Sequence, residues 1–382
     1  MRKIWIGVLI LIIAALAVSL IVTQTKKEPE EIKIGAIFAL TGDAAMYGES
    51  AKNGLELAIE ELNKKLLDKK ITVVYEDNQG DPSKAVSSFQ KLADVDKVKY
   101  IIGPLGTPEV LAVAPIAEKK KIIILTPTSS GPQLTQAGDY IFRNCMSDLI
   151  EGSALAEFVF KELKARTAGI LYINNDYGIG LRDAFKKRFD VLGGEILAEE
   201  SFRRGDTDFR TQLLKIKFKN PHVLLLIGYA EMGQILKQAR ELGIKIQVVS
   251  TSNFEMPEIL EIAGNAAENI YYTYQGFDIE SEEEVVKKFA NSYRAKYNKE
   301  PDIFAALTYD AMKILAKAIE RGGTDVENVK KELYGIKNFI GVTGKTSFDK
   351  NGDVIKPIGI KKVENGKFIW VNKKFEFNFQ GR

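Results

Sequence analysis

Two loops, GPLGTPE (residues 103–109) and TPTSSGP (126–132), each follow a short apolar run, Tyr100–Ile102 and Ile122–Leu125. Their hydroxyls, Thr107, Thr128, Ser129 and Ser130, stand beside glycines such as Gly106 that let a backbone approach closely. Hydroxyls and free amides at a helix N-terminus hold an anion such as a carboxylate without a fixed positive charge. Thr107 and Pro108 read as the N-cap and first residue of a following helix. Three tyrosines, Tyr47, Tyr177 and Tyr229, fall where an apolar run gives way to a helical pattern. Their rings can cover an apolar or amine-bearing ligand. Each residue also has a structural reading: Thr107 as a cap, Ser129 and Ser130 as loop residues, the tyrosines as packing.

Groups suited to breaking bonds are missing from this pattern. His222 is the only histidine and opens an apolar run, NPHVLLLIG, where a strand-end structural role is expected. Cys145 is the only cysteine, so no intrachain disulfide and no cysteine-rich metal site can form. The chain has neither a G-x-S-x-G elbow nor an H-E-x-x-H pair. Gly344-Lys345-Thr346 imitates a phosphate loop, but Phe339 stands where the first glycine is required. YGIGLRDAF lacks the third glycine of a dinucleotide fingerprint. Capture without conversion follows: no enzyme, no cofactor and no metal are expected.

The composition agrees. Of 382 residues, 45% are apolar and 27% charged, as in a globular protein with a substantial core. The net charge of +3 comes from evenly scattered residues and gives no case for nucleic acid. Arg2 and Lys3 precede an uncharged run, Ile4–Thr23, long enough to span a bilayer. Residues 1–25 are therefore expected to be a signal peptide or, in preference, an uncleaved anchor with the remainder outside the cytoplasm. Residues 26–31 read as a linker.

The elements that must position the loops alternate almost without pause. Strand patterns IKIGAIFAL, ITVVYEDN, VKYIIG and KIIILTP are separated by helical patterns at 45–65, 82–95 and 107–120. The rhythm restarts with TAGILYINND, EILAEESF, PHVLLLIG and KIQVVST, again separated by helices. Such spacing implies βαβ crossovers and parallel sheets, so two similar α/β domains are expected. Ligands of such sheets sit beyond the carboxyl ends of the strands, where the two loops and the tyrosines lie. Two long helices follow near 282–297 and 302–321. The end reads as antiparallel strands with KNGD and ENGK turns.

Taken in order, IKIGAIFALTGDAAMYGESAKNGLELAIEELN, YIIGPLGTPEVLAVAPIAE, LTPTSSGPQLT, IFRNCMSDLIEG and GYAEMGQILKQARELG resemble the periplasmic type I solute-binding proteins of the leucine/isoleucine/valine-binding kind, which feed ABC importers. The resemblance implies two parallel-sheet lobes flanked by helices and joined by three crossover strands, with hinge closure on a ligand in the cleft. The lobes would be 32–148 plus 276–338 and 149–275 plus 339–382. It implies a ligand carboxylate held by Thr107, Ser130 and the backbone at Leu105, Gly106, Thr128 and Ser129, with Tyr47, Tyr177 and Tyr229 at the cleft. Family members that bind amino acids hold the ammonium with an acid after the KIQVV strand. Here Ser252 or Asn253 takes that place, with Glu255 nearby inside a helix. Capture of an amino acid, branched-chain ones included, or of a similar small carboxylate is expected, by a monomer that docks on ABC permease subunits. The alternative is a membrane-tethered sensor of amides or small acids.

Overall fold

The computed structural model describes residues 30–64, 69–354 and 356–376. The expected signal or anchor at 1–25 lies outside these residues. Among the described residues no helix is long and apolar enough to cross a membrane. The first strand begins at Glu30, so the last two residues of the expected linker belong to it.

Five parallel strands make the first sheet: β1 (Glu30–Phe38), β2 (Lys69–Asp77), β3 (Tyr100–Ile102), β4 (Ile123–Thr126) and β5 (Ile141–Arg143), in the order β2-β1-β3-β4-β5. Helices α1 (Ala45–Asn63), α2 (Pro82–Asp94) and α3 (Thr107–Lys120) connect the first four strands. Alternate residues of β1 go to opposite faces, as the period of two requires. Ile34, Ala36 and Phe38 join the core under α1, while Ile37 joins Phe89, Val110 and Val113 under α2 and α3. A Cβ at Gly54 of α1 would stand 2.1 Å from the carbonyl oxygen of Ala305, so glycine lets a later helix press directly on α1.

The second sheet repeats the plan. Strands β6 (Thr167–Ile173), β7 (Glu195–Phe202), β8 (Val223–Ile227), β9 (Gln247–Ser250) and β10 (Tyr271–Gln275) run parallel in the order β7-β6-β8-β9-β10. This is the strand order of the first sheet. Helices α4 (Asp148–Lys161), α5 (Asp176–Val191), α6 (Arg210–Lys219), α7 (Glu231–Glu241) and α8 (Pro257–Ala263) flank it. All five residues of β8 are buried, as a strand covered on both faces must be. Burial of each such side chain contributes roughly 1.5–3 kcal/mol.

After β10 the chain returns to the first lobe as α9 (Glu284–Tyr297), α10 (Ile303–Gly322) and α11 (Val326–Tyr334), then forms the hairpin β11 (Phe339–Gly341) and β12 (Gly344–Thr346). It ends on the second sheet as the antiparallel pair β13 (Ile358–Glu364) and β14 (Lys367–Asn372), joined at the ENGK turn. The chain thus passes between the sheets three times. The crossings are tied together: Met146 N–H donates to Gln275 Oε1 at 2.9 Å, and Gly276 N–H to the Pro357 carbonyl at 3.1 Å.

The lobe boundary expected at 338/339 falls too early. Residues 339–354 stay with the first sheet, because Phe348 packs on Phe142 at 5.5 Å and Asp353 Oδ1 accepts from Arg143 Nε at 2.6 Å. The return to the second sheet comes after Val354, at β13.

Candidate functional site

Loops at the carboxyl ends of both sets of parallel strands face one cleft of about 510 Å³, open mouth included. From the first lobe come Ala39 and Ala44 after β1, Asn78 and Gly80 after β2, Leu105, Gly106, Thr107 and Glu109 after β3, and Thr128 and Ser130 after β4. Tyr47 of α1 and Phe304 of α10 complete this wall. The second lobe supplies Tyr177, Arg204, Tyr229 and Asn253 from the ends of β6, β7, β8 and β9. Both sheets put the break in strand order at the cleft, where open α/β sheets bind ligands.

The two hydroxyl loops are stitched into one shelf. Thr126 Oγ1 donates to the Pro104 carbonyl at 2.6 Å and Thr128 Oγ1 to the Leu105 carbonyl at 2.9 Å. Thr107 is the first helical residue of α3 and Gly106 the N-cap, so the expected cap at Thr107 is displaced by one. Its side chain turns across the shelf instead, where Thr107 Oγ1 accepts from Gly131 N–H at 3.0 Å. With its lone pair so used, the hydroxyl keeps a proton to donate.

Nine of the eleven expected residues line the cleft: Tyr47, Leu105, Gly106, Thr107, Thr128, Ser130, Tyr177, Tyr229 and Asn253. Ser129 and Ser252 do not. Ser129 Oγ is buried in the shelf's own bonding, 2.8 Å from Thr126 Oγ1 and 3.3 Å from the Pro104 carbonyl. Ser252 is turned inward, and its N–H donates to Glu151 Oε1 at 2.9 Å. Glu255 precedes α8 rather than lying inside a helix, and it is bound elsewhere, accepting from Tyr272 Oη and Lys361 Nζ. The position expected for an acid is therefore filled by Asn253.

The tyrosines form a continuous aromatic group. Tyr177 stacks on Tyr229 with centroids 5.4 Å apart, and Tyr47 meets Tyr229 edge-on at 6.0 Å and Phe304 at 4.7 Å. Burial raises all three phenols, so they act as neutral donors or acceptors. Tyr177 Oη lies 2.9 Å from Thr251 Oγ1, whereas Tyr47 Oη has no hydrogen-bond partner.

Charged residues in the cleft are the part the sequence reading passed over. Arg204 lies over the Tyr229 ring at 4.9 Å, donates from Nη1 to the Gly80 carbonyl at 2.6 Å and stands 3.9 Å from Glu109 Oε1. Glu109 is only 4% exposed, and burial pushes its carboxyl up to about 7, against the pull of its own amide and of Arg204. The strand-end rule could have picked out Arg204 and Asn78, whose loops follow β7 and β2. Phe304 arrives from a helix after the second crossing, and no strand end marks it.

Beneath the shelf, the Asp148 carboxyl faces the Ser130 hydroxyl without a well-formed hydrogen bond, and burial followed by the neighbouring Glu151 raises it well above the ordinary range. Glu151 accepts from Thr273 Oγ1 at 2.6 Å as well as from Ser252. His222 is at the exposed start of β8, where Nδ1 accepts from Arg166 N–H at 3.0 Å. Among the described residues no group of three or more His, Cys, Asp or Glu could hold a metal ion.

The family model for periplasmic binding proteins matches residues 31–367. A Leu/Ile/Val-binding protein homolog from Brucella melitensis is 28% identical over 346 residues, covering 89% of this chain and 93% of its own. A leucine-binding protein of Thermotoga maritima superposes with a TM-score of 0.85 at 34% identity, over 89% of this chain and 97% of its own. A branched-chain amino acid transporter substrate-binding protein of Streptococcus pneumoniae, solved with isoleucine, gives 0.83 at 34%, over 89% and 98%.

Proposed function

The chain belongs to the periplasmic binding protein family, and from that premise we propose that it captures an amino acid or similar small carboxylate outside the cytoplasm and delivers it to an ABC importer. One observation carries the reading: a hydroxyl shelf on one lobe faces stacked tyrosines on the other across a single cleft. Thr107, Ser130 and the amides of the shelf would hold the carboxylate, with α3 contributing its positive N-terminal end. Tyr177, Tyr229, Tyr47 and Phe304 would enclose the rest. Closure of the lobes about the three crossings would bury the ligand, and reopening would release it unchanged. The branched-chain specificities named for its relatives make leucine, isoleucine and valine the first ligands to test. The run Ile4–Thr23 fits export of the chain, and we read it as a retained anchor that keeps a monomeric binder near its permease.

A thermal-shift screen over amino acids and small carboxylates tests this. A cognate ligand should raise the melting temperature in proportion to the logarithm of its excess over Kd. No shift with any of them, at millimolar concentration, would overturn the reading.

A further inference from the structure

Resting on that solute-binding reading, we propose that Glu109 receives a cationic nitrogen of the ligand, so that the cleft selects an amine-bearing carboxylate over a plain carboxylate of the same carbon skeleton. Glu109 is the one carboxylate among the described residues that line the cleft. It is more than nine-tenths buried, and its Oε2 has no hydrogen-bond partner. A buried acidic oxygen without a donor is costly, and native proteins rarely leave one unexplained. Gly106 makes the niche: a Cβ there would stand 2.1 Å from Oε2, so the backbone is bare where the carboxyl folds back.

The resident cation does not fill the need. Arg204 stands 3.9 Å from Oε1, the other oxygen, and its Nη1 is committed to the Gly80 carbonyl at 2.6 Å. Asp81, ahead of α2, and Asp176, at the start of α5, face Glu109 as like charges, and Tyr229 stands beside it from the β8–α7 loop. An ammonium at Oε2 would supply the missing donor and relieve this repulsion. It would also lie within one turn of Thr107, as the amine of an α-amino acid must when its carboxylate sits on the shelf. The acid thus comes from the first turn of α3, on the same lobe as the shelf, while Asn253 faces it without charge.

The carboxyl held near 7 adds a second readout. Binding a cation fixes the ionised form, so near pH 7 each binding event should release about half a proton. Calorimetry on the intact protein, in buffers of different ionisation enthalpy, should compare L-leucine with 4-methylpentanoate, L-phenylalanine with 3-phenylpropanoate and L-glutamate with glutarate. The amino member of whichever pair binds should be at least about tenfold tighter, as expected for a charged hydrogen bond. Glu109→Gln should weaken it by about 10- to 100-fold, spare the deaminated acid and abolish proton release. Equal binding of both members by the wild type, or an amine preference that survives in Glu109→Gln, overturns the proposal while leaving carboxylate capture intact. If no pair binds at all, this proposal falls, while the wider thermal-shift screen decides the solute-binding reading. Should Glu109→Gln fail to melt cooperatively, Glu109→Asp, which keeps the charge and shortens its reach, takes its place, and an amine preference unchanged in that variant sinks the assignment.

Discussion

Arg204 of the second lobe donates from Nη1 to the backbone carbonyl of Gly80 on the first, at 2.6 Å. This bond spans the mouth of the cleft and can exist only while the lobes are together. The guanidinium is backed by the Tyr229 ring, which fixes its direction. Removing it should therefore act on closure before it acts on any ligand contact.

Arg204→Ala should lower ligand affinity by roughly 1–2 kcal/mol, the upper end limited because the side chain is partly exposed and solvent competes for it. Small-angle scattering should find a larger radius of gyration for the variant without ligand, since the closed population is what the bond favours. An unchanged radius and an unchanged affinity together would mean that the contact contributes nothing to closure.

The shelf separates ligand contacts from internal bracing. Thr107→Ala and Ser130→Ala should each weaken a carboxylate ligand by about 1–3 kcal/mol, because each removes a hydroxyl from the cleft wall where the charged group would sit. Thr107→Ala also strands the Gly131 amide, so a modest loss of stability should accompany it. Ser129→Ala should do the reverse. Its hydroxyl bonds only within the shelf, so stability should fall by about 1 kcal/mol with little change in affinity. Calorimetry paired with urea melts distinguishes the two patterns. A Ser129→Ala variant that loses ligand binding as severely as Thr107→Ala would refute the division.

The features legible in the sequence were those with a local signature. Period-two apolar runs such as IKIGAIF mark strands, and the helix at 107–120 is legible because proline and glutamate open it and lysines close it, although its cap is Gly106 and not Thr107. Loops at strand ends therefore pointed to most of the cleft. What escaped depends on contacts distant in sequence. Residues 339–354 stay on the first lobe because Asp353 meets Arg143, a pairing no local pattern announces. Ser252 turns inward because Glu151 of α4, 101 residues earlier in the chain, claims its amide. Glu109 looks like an ordinary acid in a first helical turn, and its neighbours in sequence do not announce Arg204 and Tyr229, which stand beside it from the other lobe.

Asp148 predicts a pH dependence. Burial, reinforced by Glu151, keeps its carboxyl protonated well above 3.8 in the folded chain. Above that pH the unfolded chain has lost the proton that the folded chain retains, so stability falls as pH rises through the interval up to the folded value. Asp148→Asn keeps the shape and removes the titration. It should be the more stable protein near pH 8, and the advantage should shrink towards pH 4. Urea denaturation curves that stay parallel across this range would show that Asp148 does not titrate as its burial requires.

The third crossing carries a buried relay with the opposite sign. Lys356 Nζ donates to Thr343 Oγ1 at 2.6 Å and Thr346 Oγ1 at 2.9 Å. Thr343 Oγ1 in turn donates to Asp310 Oδ2 at 2.5 Å, and the same carboxylate accepts from the Val342 and Thr343 amides. The relay fastens the β11–β12 hairpin to α10 at the point where the chain leaves for the second lobe. Burial lowers the Lys356 ammonium to about 8, although Asp310 pulls it upward. From about 8 to 10.5 the folded chain has released a proton that the unfolded chain still holds, so this group adds stability as pH rises through that window. Lys356→Met should cost roughly 2–4 kcal/mol near neutral pH, because it strips the nearby positive charge from a buried carboxylate. Combining it with Asp310→Asn should cost less than the sum of the two single changes, since neither charge then remains without its counterpart. Additive losses in that cycle would mean that Asp310 is held by its three donors alone and that Lys356 serves only the two threonines.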